Sequence, residues 1–136
     1  MSLFKLKVST NSQKYSIIIG NNFLNKINKL LKESSINFNQ CLLVIDKNVP
    51  RNLIKNILKS LPKKSVSIHY FIASEKNKNQ KNVNDITSIL LKKNFNRNDC
   101  IISIGGGITG DVSGFAASTY KRCLLYTSDA AADPLR

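Results

Sequence analysis

Ile101-Ile102-Ser103-Ile104-Gly105-Gly106-Gly107-Ile108-Thr109-Gly110-Asp111 is the stretch whose reading decides the fold. An apolar run feeds three glycines, and a helix-like segment follows from Thr109 to Tyr120. The order is strand, tight turn, helix. Consecutive glycines let the backbone take φ > 0 and let another group approach it closely. The N–H groups and the positive end of the following helix then suit an anion, most often a phosphate. Gly105, Gly107 and Gly110 also satisfy G-x-G-x-x-G in the strand-to-helix context that a dinucleotide fingerprint needs. The competing reading is a plain glycine-rich turn between a strand and a helix.

Working outward, Cys41-Leu42-Leu43-Val44-Ile45-Asp46 is a short continuous apolar run, as expected of a parallel strand buried on both faces. Asn48 is placed to cap a helix with Pro50 in its first turn, and Leu53, Ile54, Ile57, Leu58 and Leu61 form its apolar stripe up to Pro62. Val66 to Ala73 reads as another strand, and Ser74 to Lys81 as a polar loop. Val83, Ile86, Leu90 and Leu91 mark a further helix with Asn82 as its candidate cap, and Asn94 to Asn98 turns the chain into Cys100. Nearer the start, Leu3 to Val8 and Tyr15 to Gly20 read as a hairpin, and Phe23 to Glu33 as a helix capped by Asn22. The alternation after Asp46 predicts an α/β fold. It would be a doubly wound, Rossmann-like parallel-sheet domain with an N-terminal hairpin. Ligands bind such sheets at the carboxyl ends of the strands. That selects Asp46, the loop with Glu75 and Lys78, and the glycines.

Composition narrows the function classes. A chain of 136 residues, 42% apolar and 21% charged, suits one soluble domain. No apolar run approaches the ~20 residues of a membrane helix. The start, Met1-Ser2-Leu3-Phe4-Lys5, lacks the pattern of a signal peptide, so the cytoplasm is expected. A net charge of +13 invites a nucleic-acid role, yet lysine is spread over every segment among asparagine and isoleucine. That bias reads as an AT-rich coding sequence, and no specific nucleic-acid partner is expected. Cys41, Cys100 and Cys123 have no metal-like spacing and are expected to be buried free thiols. His69, the sole histidine, lies in a strand and reads as structural.

The last fourteen residues, Cys123 to Arg136, stand apart. They contain no Lys, Asn or Ile, which make up 50 of the preceding 122 residues. The run Cys123-Leu124-Leu125-Tyr126-Thr127-Ser128-Asp129-Ala130-Ala131 resembles a translated sequencing-library adapter. Residues 123–136 are expected to be a non-native tail, and 1–122 a partial domain that the family resemblance given next implies is NAD-binding.

Gly105-Gly106-Gly107-Ile108-Thr109-Gly110-Asp111, followed by Ser113-Gly114-Phe115-Ala116-Ala117-Ser118-Thr119-Tyr120-Lys121-Arg122, resembles the 3-dehydroquinate synthase family. That family carries G-G-G-V-x-G-D and then a G-F-x-A segment ending in Y-x-R-G. Looser similarities are the I-G at Ile19-Gly20, the R-x-D turn at Arg97-Asn98-Asp99, and Ser74-Glu75-Lys76-Asn77-Lys78 against the family's G-E-x-x-K, with Ser in place of Gly. Val44 to Val49 is similar to the family's V-[TD]-[DN]-x-x-V strand end.

The resemblance implies NAD as cofactor, contacted by Asp46, Glu75, Lys78, Gly105, Gly106, Gly107, Ile108, Thr109, Gly110 and Asp111. It implies Arg122 as a contact of the substrate phosphate. The substrate would be a phosphorylated keto-sugar-acid, which the family cyclises to 3-dehydroquinate with loss of phosphate in the shikimate pathway. Zinc or another divalent metal would assist in the full-length enzyme, a homodimer. No catalytic residue or metal ligand is expected in this chain, and the helical second domain is absent. The fragment alone is therefore expected to be inactive. Residue by residue, other readings stand beside these: a solvated loop for Glu75 and Lys78, and helix-start acids for Asp46 and Asp111. At the level of function the alternatives are another sugar-phosphate cyclase, a polyol or iron-type alcohol dehydrogenase, or a non-catalytic nucleotide-binding or basic interaction module.

Overall fold

The computed structural model describes residues 3–9, 11, 14–20, 26–33, 38–61, 65–120 and 125–129. Strands β1 (Leu3–Ser9) and β2 (Lys14–Gly20) pair antiparallel as the expected hairpin, with Leu3 opposite Gly20 and Ser9 opposite Lys14. Helix α1 (Ile27–Glu33) follows. The expected start at Phe23 and its cap Asn22 lie outside the described residues. Then come β3 (Cys41–Asp46), α2 (Arg51–Ser60), β4 (Val66–Phe71), a 3-10 turn (Glu75–Asn77), α3 (Gln80–Lys92), β5 (Cys100–Ile104), α4 (Gly107–Tyr120) and β6 (Leu125–Asp129).

Strands β3 to β6 form one sheet in the order β4-β3-β5-β6, and every neighbour pair is parallel. The chain steps outward from β3 to β4, then crosses back past β3 to β5. Right-handed crossovers in opposite directions put their helices on opposite faces. The core divides accordingly. Leu43, Ile45, Ile102 and Ile104 pack against Leu31 of α1 and Ile54 and Ile57 of α2. Leu42, Val44 and Ile101 pack against Val83, Ile86 and Leu90 of α3 and Val112, Ala116 and Ala117 of α4. Both faces of β3 and β5 are covered, so their apolar runs are continuous rather than alternating.

Three local expectations change. Asn48 does not cap α2. Its N–H donates to Asp46 Oδ1 at 3.1 Å, and Pro50 occupies the cap position. The carboxylate two residues back thus shapes the turn, and the fixed φ of proline starts the helix. Helix α3 begins earlier than expected, because Asn79 rather than Asn82 is its cap. Asn79 Oδ1 accepts the Asn82 N–H at 3.0 Å, the three-residue spacing a capping side chain needs. Helix α4 begins at Gly107, two residues before Thr109. The composition break at Cys123 had set residues 123–136 outside the fold. In the structure Leu125–Asp129 nonetheless runs along the free edge of β5, with Ile104 opposite Asp129.

Cys41 and Cys100 are buried free thiols, as expected, and lie opposite one another in the register of β3 and β5. The Cys100 thiol is pushed far up by its hydrogen bond with Cys41 and then by burial. Cys123 lies outside the described residues.

Candidate functional site

The reversal of strand order falls between β3 and β5. In an open parallel sheet this is where a crevice forms beyond the carboxyl ends of the strands. Asp46 ends β3, and Gly105 directly follows β5. Gly105 has φ of +148°, a conformation that L side chains rarely adopt. A Cβ built there would lie 2.9 Å from Asp46 Cβ and 2.9 Å from Thr109 Oγ1. The glycine therefore lets the two strand ends close together. At Gly107 a Cβ would meet nothing within 4 Å, so the approach to the start of α4 is open.

Gly110 N–H donates to Gly106 O at 3.1 Å, which closes the first turn of α4. The amides ahead of Gly110 have no i−4 carbonyl inside the helix, and they gather at its positive end. This is the geometry of an anion site on a helix fourteen residues long. Gly106 and Gly110 are half-buried and Gly107 is exposed. Thr109 is fully buried, and Ile108 packs into the α3–α4 core. These two residues reach the crevice through the backbone. Ser103, Thr109 and Ser113 bury their hydroxyls without partners among the described residues. Thr109 and Ser113, with Gly110, Gly114, Ala116 and Ala117, form the small-residue side of α4, which lets the helix lie close to the sheet that carries Ser103 on β5.

The loop after β4 is rigidly built. Ser74 Oγ accepts the Asn77 N–H at 3.3 Å, Asn77 Nδ2 donates to Ile72 O at 2.9 Å, and Asn82 Nδ2 donates to Asn77 O at 2.9 Å. Ser74, where the resembled motif has Gly, is the cap of the 3-10 turn that holds Glu75. Lys78 leaves this loop toward α4, and its Nζ pairs with Asp111 Oδ2 at 2.9 Å. The hydrogen bond and charge of Asp111 raise the Lys78 pKa, and Glu75 adds to the effect.

The structure thus brings Asp46, Gly105 to Asp111 and Lys78 to one end of the sheet, with Glu75 exposed on the adjoining turn. Arg122 lies outside the described residues. Asp46 spends one oxygen on the Asn48 N–H, and Oδ2 has no partner among the described residues. Sequence reading missed the Lys78–Asp111 pair, because its members are 33 positions apart and share no periodic pattern. It also missed the asparagine scaffold of the loop, having treated asparagine as composition bias.

A nicotinamide dinucleotide fits what is present: a turn that only a glycine at Gly105 allows, an open helix start at Gly107, and carboxylates at two strand ends. A divalent metal does not. Among the described residues no three His, Cys, Asp or Glu side chains lie close enough to hold one.

Comparison with known proteins gives concordant results. Residues 68–129 match the family described as 3-dehydroquinate synthase N-terminal. The chain is 78% identical over 128 residues to a 3-dehydroquinate synthase of Pelagibacter ubique (strain HTCC1062), covering 94% of this chain and 35% of that protein. It is 33% identical over 129 residues to the 3-dehydroquinate synthase of Prochlorococcus marinus (strain MIT 9312), covering 93% of this chain and 36% of that one. The chain therefore spans about a third of the length of these relatives. Among solved structures, a 2-deoxy-scyllo-inosose synthase complexed with carbaglucose-6-phosphate, NAD+ and Co2+ superposes with a TM-score of 0.80. It is 21% identical and covers 93% of this chain and 35% of that one, a likeness of fold.

Proposed function

We propose that this chain, which corresponds over 94% of its length to a 3-dehydroquinate synthase, is the NAD-holding portion of such an enzyme. The observation that carries the reading is Gly105. Its φ of +148° and its contact with Asp46 and Thr109 form a cradle at the reversal of strand order, beside an open helix start. In this reading the first-turn amides of α4 hold the pyrophosphate. Asp46 accepts from an adenosine ribose hydroxyl through Oδ2. Glu75 and Lys78 take ribose and phosphate, and Asp111 takes the remaining polar edge of the cofactor. Carboxylates suit hydroxyl donors, and an ammonium suits a phosphate charge. When bound, NAD supplies hydride acceptance and return, and the protein supplies position and charge.

The same reading assigns Arg122 to the phosphate of a phosphorylated keto-sugar-acid, a task for a planar guanidinium. It makes the whole enzyme a cytoplasmic homodimer that eliminates phosphate to give 3-dehydroquinate. It leaves the divalent metal to residues beyond this chain. Residues 1–122 are the native portion and 123–136 a non-native tail, of which Leu125–Asp129 lies along a strand position that the sheet offers. The uninterrupted coding sequence past Arg122 tests that division.

The direct test is calorimetric titration of the purified chain with NAD and with ADP-ribose. Saturable binding of both, in competition, is expected. A folded chain that binds neither would overturn the assignment. Incubated with the sugar-acid phosphate, NAD and zinc, the chain alone is expected to release no phosphate. Measurable release would show that the catalytic groups are already present.

A further inference from the structure

Cysteine is scarce in this chain, three residues of 136, and the fold puts two of the three face to face. Cys41 opens β3, Cys100 opens β5, and they are direct partners in the parallel register of those strands. Both thiols belong to the core under α1 and α2 that holds Leu31, Ile57 and Leu61, so they lie on the same side of the sheet. Neighbouring strands run about 4.8 Å apart, which sets the partners' Cα atoms inside the ~4.4–6.8 Å that a disulfide spans. The backbone around the pair is held in place. Asn39 N–H donates to Asn98 O at 3.0 Å, Cys100 N–H to Gln40 O at 3.2 Å, and Gln40 N–H to Asp99 Oδ1 at 3.1 Å. The two thiols share a hydrogen bond, which raises the Cys100 pKa and lowers that of Cys41, with burial opposing the fall at Cys41. Cys100 is therefore the donor and Cys41 the more nucleophilic sulfur. Among the described residues no third His, Cys, Asp or Glu joins them in a cluster able to hold a metal. The chemistry left to the pair is between the sulfurs.

We propose that Cys41 and Cys100 form a redox-sensitive clamp: hydrogen peroxide joins them in a disulfide that ties β3 to β5 at their amino ends. In the first step the Cys41 sulfur attacks one peroxide oxygen and the O–O bond breaks. Cys41 S–H and the peroxide become Cys41 S–OH and water. In the second step the Cys100 sulfur bonds to the Cys41 sulfur and the S–O bond breaks. The hydroxyl leaves with the Cys100 proton as water. Two thiols are oxidised, one peroxide is reduced, and two waters form. Access comes from the end of the sheet. Asn39 and Asn98, each two residues ahead of a cysteine, are exposed, so local opening of the strand ends admits a small oxidant. The bridge closes the long loop from residue 41 to residue 100 and so restricts the unfolded chain more than the folded one. The crevice between Asp46 and Gly105 lies at the other ends of the same strands, so the clamp secures the pair of strands without occupying the crevice.

The test uses the full chain carrying Cys123→Ser, which leaves Cys41 and Cys100 as its only thiols. Hydrogen peroxide under native conditions should remove two hydrogens from the mass of the single chain, and dithiothreitol should restore them. Peptide mapping without reductant should find Cys41 joined to Cys100. The melting midpoint of the bridged form should stand at least about 5 °C above that of the reduced form. With Cys100→Ala added, the sulfenic acid has no thiol to meet, so dimedone should label Cys41. With Cys41→Ala added instead, Cys100 should stay unlabelled. The mass, mapping and melting results decide the matter even where a single alanine variant does not fold. Native protein that keeps both thiols through the peroxide treatment would overturn the proposal. So would a bridge formed between two chains, a bridged form that melts at or below the reduced one, or dimedone on Cys100 and not on Cys41.

Discussion

The two ends of β3 and β5 are built from the same strands to opposite purposes. At the amino ends Cys41 and Cys100 lie buried in register, and Cys100 N–H donates to Gln40 O. Beside them Asp99 is 1% exposed, and its carboxylate accepts from Gln40 N, Gln40 Nε2 and Asn96 N. At the carboxyl ends Lys78 and Asp111 pair in the open, with side chains 45% and 61% exposed, and a Cβ built at Gly107 in the first turn of the same helix would meet nothing within 4 Å. Both ends hold a carboxylate with polar partners. The buried one is saturated by protein donors, and the exposed one has a partner that a ligand can replace. Saturation and burial, more than the presence of charge, separate a structural end from a binding end.

Gly105→Val is the largest expected disturbance. It forces a β-branched residue to φ of +148° and drives a Cβ to 2.9 Å from Asp46 Cβ. Strain and overpacking together should cost about 3 kcal/mol of unfolding free energy. Denaturant titration reads this, and a change below about 0.5 kcal/mol would mean the strand ends do not meet as described. Asp99→Ala comes next. It leaves the Gln40 and Asn96 backbone N–H groups without their carboxylate acceptor, while Gln40 Nε2 keeps Lys93 O, and should cost about 2 kcal/mol, with NAD affinity within twofold. Lost affinity at retained stability would move Asp99 from the locked end into the binding machinery.

How much of this was legible in the sequence depends on distance along the chain. The strand, glycine and helix order around Gly105 was readable, because it is local and the residues allow little else. So was the parallel sheet, from the continuous apolar runs at Cys41–Asp46 and Cys100–Ile104. Helix starts were misread where several asparagines compete, as at Asn79 and Asn82, since each can cap and only the three-dimensional path decides. The Lys78–Asp111 pair and the Asp46–Gly105 contact were invisible. Their partners meet only because the chain crosses back over β3, and no local pattern encodes that crossing.

Two substitutions at the open end sharpen the contrast. Lys78→Ala removes an exposed ion pair and should leave the denaturant midpoint essentially unchanged. The NAD dissociation constant should rise about tenfold, through loss of a charge-assisted phosphate contact. Gly107→Ala adds a methyl group where nothing lies within 4 Å, so stability should hold or improve by up to about 0.5 kcal/mol. In the proposed reading affinity should nevertheless fall severalfold, because the methyl would stand where the pyrophosphate approaches. If Gly107→Ala bound NAD normally, the open approach would not be the phosphate's path.

The smallest expected effect comes from His69, half-buried on β4 opposite Val44. Burial lowers its pKa below the ordinary 6.5, and Asp85 offsets part of that shift. The folded chain therefore resists the proton that the unfolded chain accepts. The stability this implies is present above pH 6.5 and is lost as pH falls from 6.5 through the depressed folded value. For a half-exposed ring the loss should be about 0.5 kcal/mol or less after solvent screening. His69→Gln should flatten this slope in denaturant midpoints measured between about pH 5 and 7, while the pH profile of NAD affinity stays unchanged. His69 sits mid-strand, away from the carboxyl end where Asp46 and Gly105 meet. A pH slope that moved with NAD affinity instead would place a titrating group in the crevice at a residue judged structural by its position. Burial and strand position would then no longer suffice to tell the two ends apart.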